Sequence, residues 1–289
     1  MTNPYVDTLT YVYAVARHTG TAAGSRTGLR GLGGAPVVLL TGPSAAGRSA
    51  PLVLAASPVP ERDFNERALK KHLEDLEWLE DTARTHNDVV QALALHTTVL
   101  PLRLATVYED DDRARQALAA QHDTFAERIA LLDAHMEYGV KIYLKPAAAP
   151  AGPGVGSDTA PTDSGTAPPV SPGKAYLRQR RAQHTAREAV YEQAQEAAAT
   201  IEAVASRYAS GRVRHPPQRG ALTGPAENVL NDAYLVPDGR AAGFRADVEE
   251  AVRAFRDIHV EVTGPWAPYS FAMPPSQGDR PVAEQGRTP

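Results

Sequence analysis

Between Pro146 and Gly173 every residue except Val155 and Val170 is Pro, Ala, Gly, Ser, Thr or Asp. A stretch of that composition buries too little apolar area to offset the entropy lost on ordering, so it reads as a disordered linker. It limits the chain to two separate folding problems: residues 1–145, and residues 174–277 followed by a polar tail, 278–289, that also reads as disordered. Each part is long enough for its own hydrophobic core.

The first part mixes strand and helix signals. Leu9 to Ala16, Pro36 to Leu40 and Pro51 to Ala55 are rich in β-branched and apolar residues and predict strands. Leu69, Leu73, Leu76 and Leu79 recur at helical spacing within 63–83, and Asn87 or Asp88 is placed to cap a further turn or two through Leu95. The run from Thr97 to Tyr108 is extended and apolar. Glu109 to Asp112 put four acids in the first turn of a helix expected to reach Ala134, and Tyr138 to Leu144 predicts a closing strand.

In the second part Lys174 to Ser210 reads as one long helix. Val190, Ala194, Ala197, Ile201, Val204 and Tyr208 form a narrow apolar seam on it. A strand at Asn228–Val236, a helix at Ala241–Phe255 and a strand at Ile258–Val262 follow. Two α+β modules of ferredoxin-like, split βαβ type are the expected architecture.

The chain has 289 residues, 43% hydrophobic and 22% charged, with a net charge of -4. That balance offers no basic field for nucleic acid. Cysteine is absent, which excludes disulfides, thiolate metal sites and cysteine catalysis. No run reaches the roughly 18 apolar residues of a membrane helix, and the N-terminus lacks a signal-peptide pattern, so a cytoplasmic protein with no membrane partner is expected.

Gly42-Pro43-Ser44-Ala45-Ala46-Gly47-Arg48-Ser49 approaches a phosphate-binding loop. However, Arg48 stands where the motif needs lysine, and a strand rather than a helix is expected next. An irregular hairpin loop is favoured over a nucleotide site. His72 and His86 have no second ligand at metal spacing and read as solvated or core-edge histidines. The acids 109–112 serve a helix start, and Arg178, Arg180 and Arg181 a solvated basic face. No catalytic, cofactor or metal set emerges.

One segment stands apart. Gly264-Pro265-Trp266-Ala267-Pro268-Tyr269-Ser270-Phe271 concentrates three aromatics and two prolines. Gly264-Pro265 is expected to end the preceding strand, and a flexible tail gains nothing from three large rings. The segment must dock, on a partner or on its own domain, where Trp266 and Phe271 would close the C-terminal core.

These residues resemble the gas vesicle proteins of the F/L type, whose C-terminal box reads Gly-Pro-Trp-Pro-Pro-Tyr-Ser-Phe; Ala267 replaces one proline. Val229 to Val236, Gly173 to Leu177, Tyr11-Val12-Tyr13 and His86 to Val90 are similar to further family segments. So is Val99 to Val107, where the family usually has Phe-Gly in place of Leu104-Ala105. The resemblance implies a non-catalytic, chaperone-like accessory protein with two α+β domains, associated with gas vesicles. It would contact the hydrophobic shell protein, alongside other accessory proteins, and limit the shell protein's aggregation. The residues singled out for partner binding or domain closure are Pro265, Trp266, Pro268, Tyr269, Phe271, Pro101 and Arg103. The alternatives are a nucleotide-binding protein using Gly42–Ser49 and a scaffold self-associating through the Val190–Tyr208 seam.

Overall fold

A computed structural model describes residues 7–18, 26–42, 52–145, 172–218 and 226–272. The expected linker, apart from Pro172 and Gly173, and the polar tail lie outside them, as does the phosphate-loop-like segment beyond Gly42. The chain divides into two compact units. One gathers residues 1–138, 235–238 and 264–289; the other comprises 139–234 and 239–263. The division falls inside strands, and the C-terminal segment belongs with the first unit, not with a contiguous second module as the sequence suggested.

The first unit is built on a six-stranded sheet. Its strands are β1 (Thr8–Arg17), β2 (Arg26–Arg30), β3 (Pro36–Thr41), β4 (Leu52–Pro60), β5 (Val99–Pro101) and β6 (Val107–Tyr108). The order is β2-β3-β4-β1-β5, with β6 also on β1. The pairs β1–β4, β1–β5, β1–β6, β2–β3 and β3–β4 are antiparallel. No described α-helix stands between β1 and β4, and β2, β3 and β4 neighbour one another in sequence order, so the helix crossover of a split βαβ unit is missing from this part of the unit. The register shifts between Val12 and Ala14 of β1. Such an irregularity re-aims side chains. Tyr11, Tyr13 and Ala14 join one core layer, Val12 and Val15 the other.

The first layer packs against α1 (Glu61–Phe64), α2 (Glu66–His72) and α3 (Leu76–Ala94). Helix α3 runs unbroken through Asn87 and Asp88, which cap nothing. Its true N-cap is Asp75, whose carboxylate accepts from the N–H groups of Glu77 and Trp78. Thr82, His86, Val89, Val90 and Leu93 form its buried stripe at spacings of three and four. The second layer packs against α4 (Asp111–Ala120) and α5 (His122–Leu132), two helices divided at Gln121 where one was expected. Asp110 caps α4 by accepting from Arg113 N at 2.7 Å, and Asp111 accepts from Thr10 Oγ1 at 2.7 Å. Two of the four acids are therefore used structurally.

The second unit contains α6 (Pro172–Ala205) and α7 (Ala241–Ala251). Its four-stranded sheet is built from β7 (His135–Leu144), β8 (Gly211–Arg214), β9 (Glu227–Pro237) and β10 (Ile258–Trp266) in the order β10-β7-β9-β8. A β-α-β-β-α-β chain order with that strand arrangement is the ferredoxin-like topology. The seam of α6 turns inward: Ala194, Ala197, Ile201 and Ala205 are buried, as are Phe244 and Val248 of α7. A seam consumed by its own domain is not free for self-association, and that reading of it falls. Asp232 is buried on β9 and held by Arg212 Nη2 at 2.7 Å and Arg214 Nε at 3.2 Å, while Arg212 also pairs with Glu202 of α6.

Candidate functional site

The aromatic C-terminal segment does not follow a strand that stops before it. Strand β10 continues through Gly264 and Pro265 to Trp266. β10 is an edge strand, where the N–H that proline lacks has no obligatory partner. Gly264 has φ 113°, and a Cβ there would meet the Glu137 carbonyl oxygen at 2.7 Å, so glycine is required at this close approach. The Gly264–Pro265 peptide is cis.

Beyond Trp266 the backbone is pinned from both sides. Ala267 is fully buried in the layer under α3 and donates its N–H to Gln91 Oε1 at 3.3 Å. Pro268 is buried, and the short helix α8 (Tyr269–Ala272) starts behind it. Glu137 grips the first turn of α8 with both oxygens. Ser270 N donates to Oε2 at 2.8 Å and Ser270 Oγ to Oε1 at 2.7 Å. Phe271 and Ala272 pack into the opposite layer, beside β5. Among the sequence candidates, Pro268 and Phe271 thus anchor the segment, and Pro101 is buried on the strand against which α8 packs. Arg103 is exposed, and its carbonyl accepts from Thr106. The segment closes the first unit's core, where the sequence pointed to the C-terminal domain.

Pro265, Trp266 and Tyr269 remain outside. Trp266 is 44% exposed. A cleft of about 290 Å³ opens beside Pro268, lined also by Leu95, Thr97, Leu132, Met136 and Asp238. Tyr269 lies over the interior at 6.3 Å from the ring of His86.

His86 is the residue the sequence placed least well. It is 3% exposed, deep in the core and not at its edge. Its Nδ1 is hydrogen-bonded to Tyr11 Oη at 2.9 Å, and Tyr11 Oη also accepts from Ala105 N at 3.1 Å. Tyr13 Oη completes the cluster, accepting from Leu32 N and bonding Ser57 Oγ. Burial pushes the His86 imidazole down to about 4, a nearby Leu102 carbonyl opposing the shift. His72 stacks on Trp78 at 4.7 Å. Gln91 and Glu137, the two side chains that hold the segment, carried no signal in the sequence, because each is a single polar residue within an ordinary helix or strand. Of Gly42–Ser49 only Gly42 is described, and the next described element is β4, a strand. Among the described residues no group of three or more His, Asp or Glu is arranged to hold a metal ion. Nor is any helix long and apolar enough to cross a membrane.

The sequence profile of the family described as gas vesicle synthesis protein GvpL/GvpF matches residues 9–273, nearly the full described range. The chain belongs to the GvpL/GvpF family. It is 38% identical to gas vesicle protein L of Streptomyces sp. (strain CB03234) over 282 residues, covering 97% of this chain and 99% of that protein. Gas vesicle protein F of the same strain is 26% identical, with 91% and 98% covered. The crystal structures of gas vesicle protein GvpF from Microcystis aeruginosa and Anabaena sp. PCC7120 share the fold, with TM-scores of 0.56 and 0.58 at 16% identity. Each alignment covers 92% of this chain, and 99% and 96% of the respective GvpF chains. The resemblance drawn from the C-terminal box and the strand and helix segments is thereby established at the level of family and α+β fold.

Proposed function

We propose that this GvpL/GvpF family member is a non-catalytic accessory protein of gas vesicle assembly that binds the hydrophobic shell protein and limits its aggregation. It would act in the cytoplasm, in association with gas vesicles and alongside other accessory proteins. The observation that carries this reading is the division of labour within the C-terminal segment. Ala267, Pro268 and Phe271 anchor it, while Trp266 stands 44% exposed on the fixed backbone next to them. A half-exposed aromatic on a fixed backbone is the kind of anchor that dominates interface energetics, because little entropy is lost when it docks. The higher identity to protein L than to protein F favours the L branch of the family.

The test is capture of purified shell protein by the full chain and by Trp266→Ala, with circular dichroism confirming that the variant is folded. A loss of capture of about tenfold or more is expected, in the range of a hot-spot truncation. Unchanged capture would remove Trp266 from the interface, and no capture by the parent chain would overturn the proposal.

A further inference from the structure

The first half of α6 buries no side chain among the described residues. From Lys174 to Ala189 every side chain the structure describes is exposed, whereas the buried seam begins only at Ala194. Sixteen residues at 1.5 Å rise make an arm of roughly 24 Å. Its cations are unusually free. Lys174, Arg178, Arg180 and Arg181 have no carboxylate partner among the described residues; Arg180 only donates to Tyr176 Oη and lies over that ring. Arg187, further along, is engaged with Tyr191 and Glu227, and His184 with Glu188. Tyr176 and Leu177, both more than half exposed, lie among the free cations near the arm's tip. At 100° per residue Lys174, Tyr176, Leu177, Arg180 and Arg181 fall within one half of the helix circumference, Arg178 lies just past its margin, and Gln179, Ala182, Gln183 and Ala186 lie on the other half.

The first unit carries a surface of opposite character at the elbow between α2 and α3. Residues 73–77, Leu-Glu-Asp-Leu-Glu, are all exposed. Leu73 is 51% and Leu76 79% exposed, which leaves two leucines of this short segment in water. Glu74 and Glu77 pair with no cation among the described residues, and Asp75 is occupied only in capping α3. Lys71 is the nearest cation in sequence; Lys70 is taken by Glu66. One surface is cationic with an exposed tyrosine and leucine. The other is anionic with two exposed leucines.

We infer that the α6 arm of one molecule docks on the α2–α3 elbow of a second copy of this chain, Lys174, Arg180 and Arg181 facing Glu74, Asp75 and Glu77 with Arg178 at the rim, while Tyr176 and Leu177 cover Leu73 and Leu76. The occupant is argued from complementarity of both charge and apolar surface, which the chain supplies to itself. Arm and elbow are different surfaces, so the contact is heterologous. After one contact, one copy keeps an unused elbow and the other an unused arm, and association continues into rings or open arrays instead of stopping at a dimer. Exposed ion pairs contribute little each and are screened, so the assembly is weak and dissolves as salt rises. This inference is independent of shell-protein capture; either can fail alone.

Sedimentation velocity of the full chain over a wide concentration range, between about 0.05 and 0.5 M salt, tests it. Oligomers growing with concentration at low salt and receding at high salt are expected. Reversing the arm (Arg178→Glu, Arg180→Glu, Arg181→Glu) or the elbow (Glu74→Lys, Glu77→Lys) weakens self-association by roughly tenfold or more. All five positions are exposed, and melting curves confirm that the variants fold. Mixing the arm-reversed with the elbow-reversed chain restores a complex, because an acidic arm now meets a basic elbow. A strict monomer under all conditions, oligomers indifferent to both reversals, or no rescue on mixing would overturn the inference. So would an arm that binds anionic lipid vesicles while the chain stays monomeric.

Discussion

At the scale of single residues, Ala105 and His86 show how closely the first unit is adjusted around Tyr11. Ala105 has φ 62°, in the left-handed region that favours glycine, and its N–H must point at Tyr11 Oη. This is the position where F/L-type proteins usually have Gly, so the departure noted in the sequence is a side chain held in an unfavourable conformation. Ala105→Gly is expected to raise stability by about 0.5–1 kcal/mol, since relief of the left-handed penalty outweighs the added freedom of the unfolded chain. A urea midpoint that falls would contradict this. His86 makes the opposite kind of demand. The fold holds it neutral, with a pKa near 4 against an ordinary 6.5. Its contribution is complete above pH 6.5, and it is lost as pH falls from 6.5 to about 4, because the unfolded chain takes up the proton first. The loss amounts to roughly 3 kcal/mol at its limit. His86→Gln should flatten the stability profile across that window; an unchanged slope would show that other groups govern it.

At the scale of elements, the C-terminal segment separates holding from display. Glu137→Ala removes both bonds to Ser270 and should cost about 1–3 kcal/mol of local stability. The expected sign is faster amide exchange at Tyr269 to Phe271, with β1 and β4 unchanged. Trp266→Ala, by contrast, should cost less global stability than the roughly 3–5 kcal/mol typical of truncating a fully buried aromatic, about 2 kcal/mol, since 44% of the residue is already in water. A loss of the full roughly 3–5 kcal/mol would mean that the tryptophan is a core residue after all. The elements differ in how far they announced themselves. The α6 seam and the elements β7, β9, α7 and β10 were legible because periodicities of 3.6 and 2 are local, whereas β8 was not read and β7 was assigned to the first part. The run of β10 through Gly264-Pro265 was not, because proline is tolerated there only by virtue of an edge position that the sequence does not encode. Helix α3 was cut short in the reading by Asn87 and Asp88, residues that cap helices in isolation but here ride on one secured by Val89, Val90 and Leu93. Strand β2 was missed because Leu29 is its one apolar residue, too little for a periodic signal.

At the scale of the whole molecule, the low-complexity stretch after Pro146 suggests that residues 1–145 form a domain by themselves, and the packing argues otherwise. Ala267 is fully buried in the layer beneath α3, while Leu235 and Ala272 are buried in the layer beneath α4 and α5. A chain ending at residue 145 would lack all three, and would leave Gln91 and Glu137 without the backbone and side-chain groups they bind. Each missing apolar group removes buried area from a core that is otherwise intact, at about 25 cal/mol per Å², and uncovers its neighbours to water. The fragment 1–145 is therefore expected to melt well below the first unit of the full chain and to bind a hydrophobic dye, and adding residues 174–289 in trans should suppress the dye signal. A fragment that melts cooperatively at the temperature of the parent and binds no dye would show that the segment is an accessory to a finished domain. If the expected result holds, the two halves of the chain cannot be exchanged or deleted independently. An aromatic box at the far end of the sequence then completes the first unit's core while presenting Trp266 at its surface.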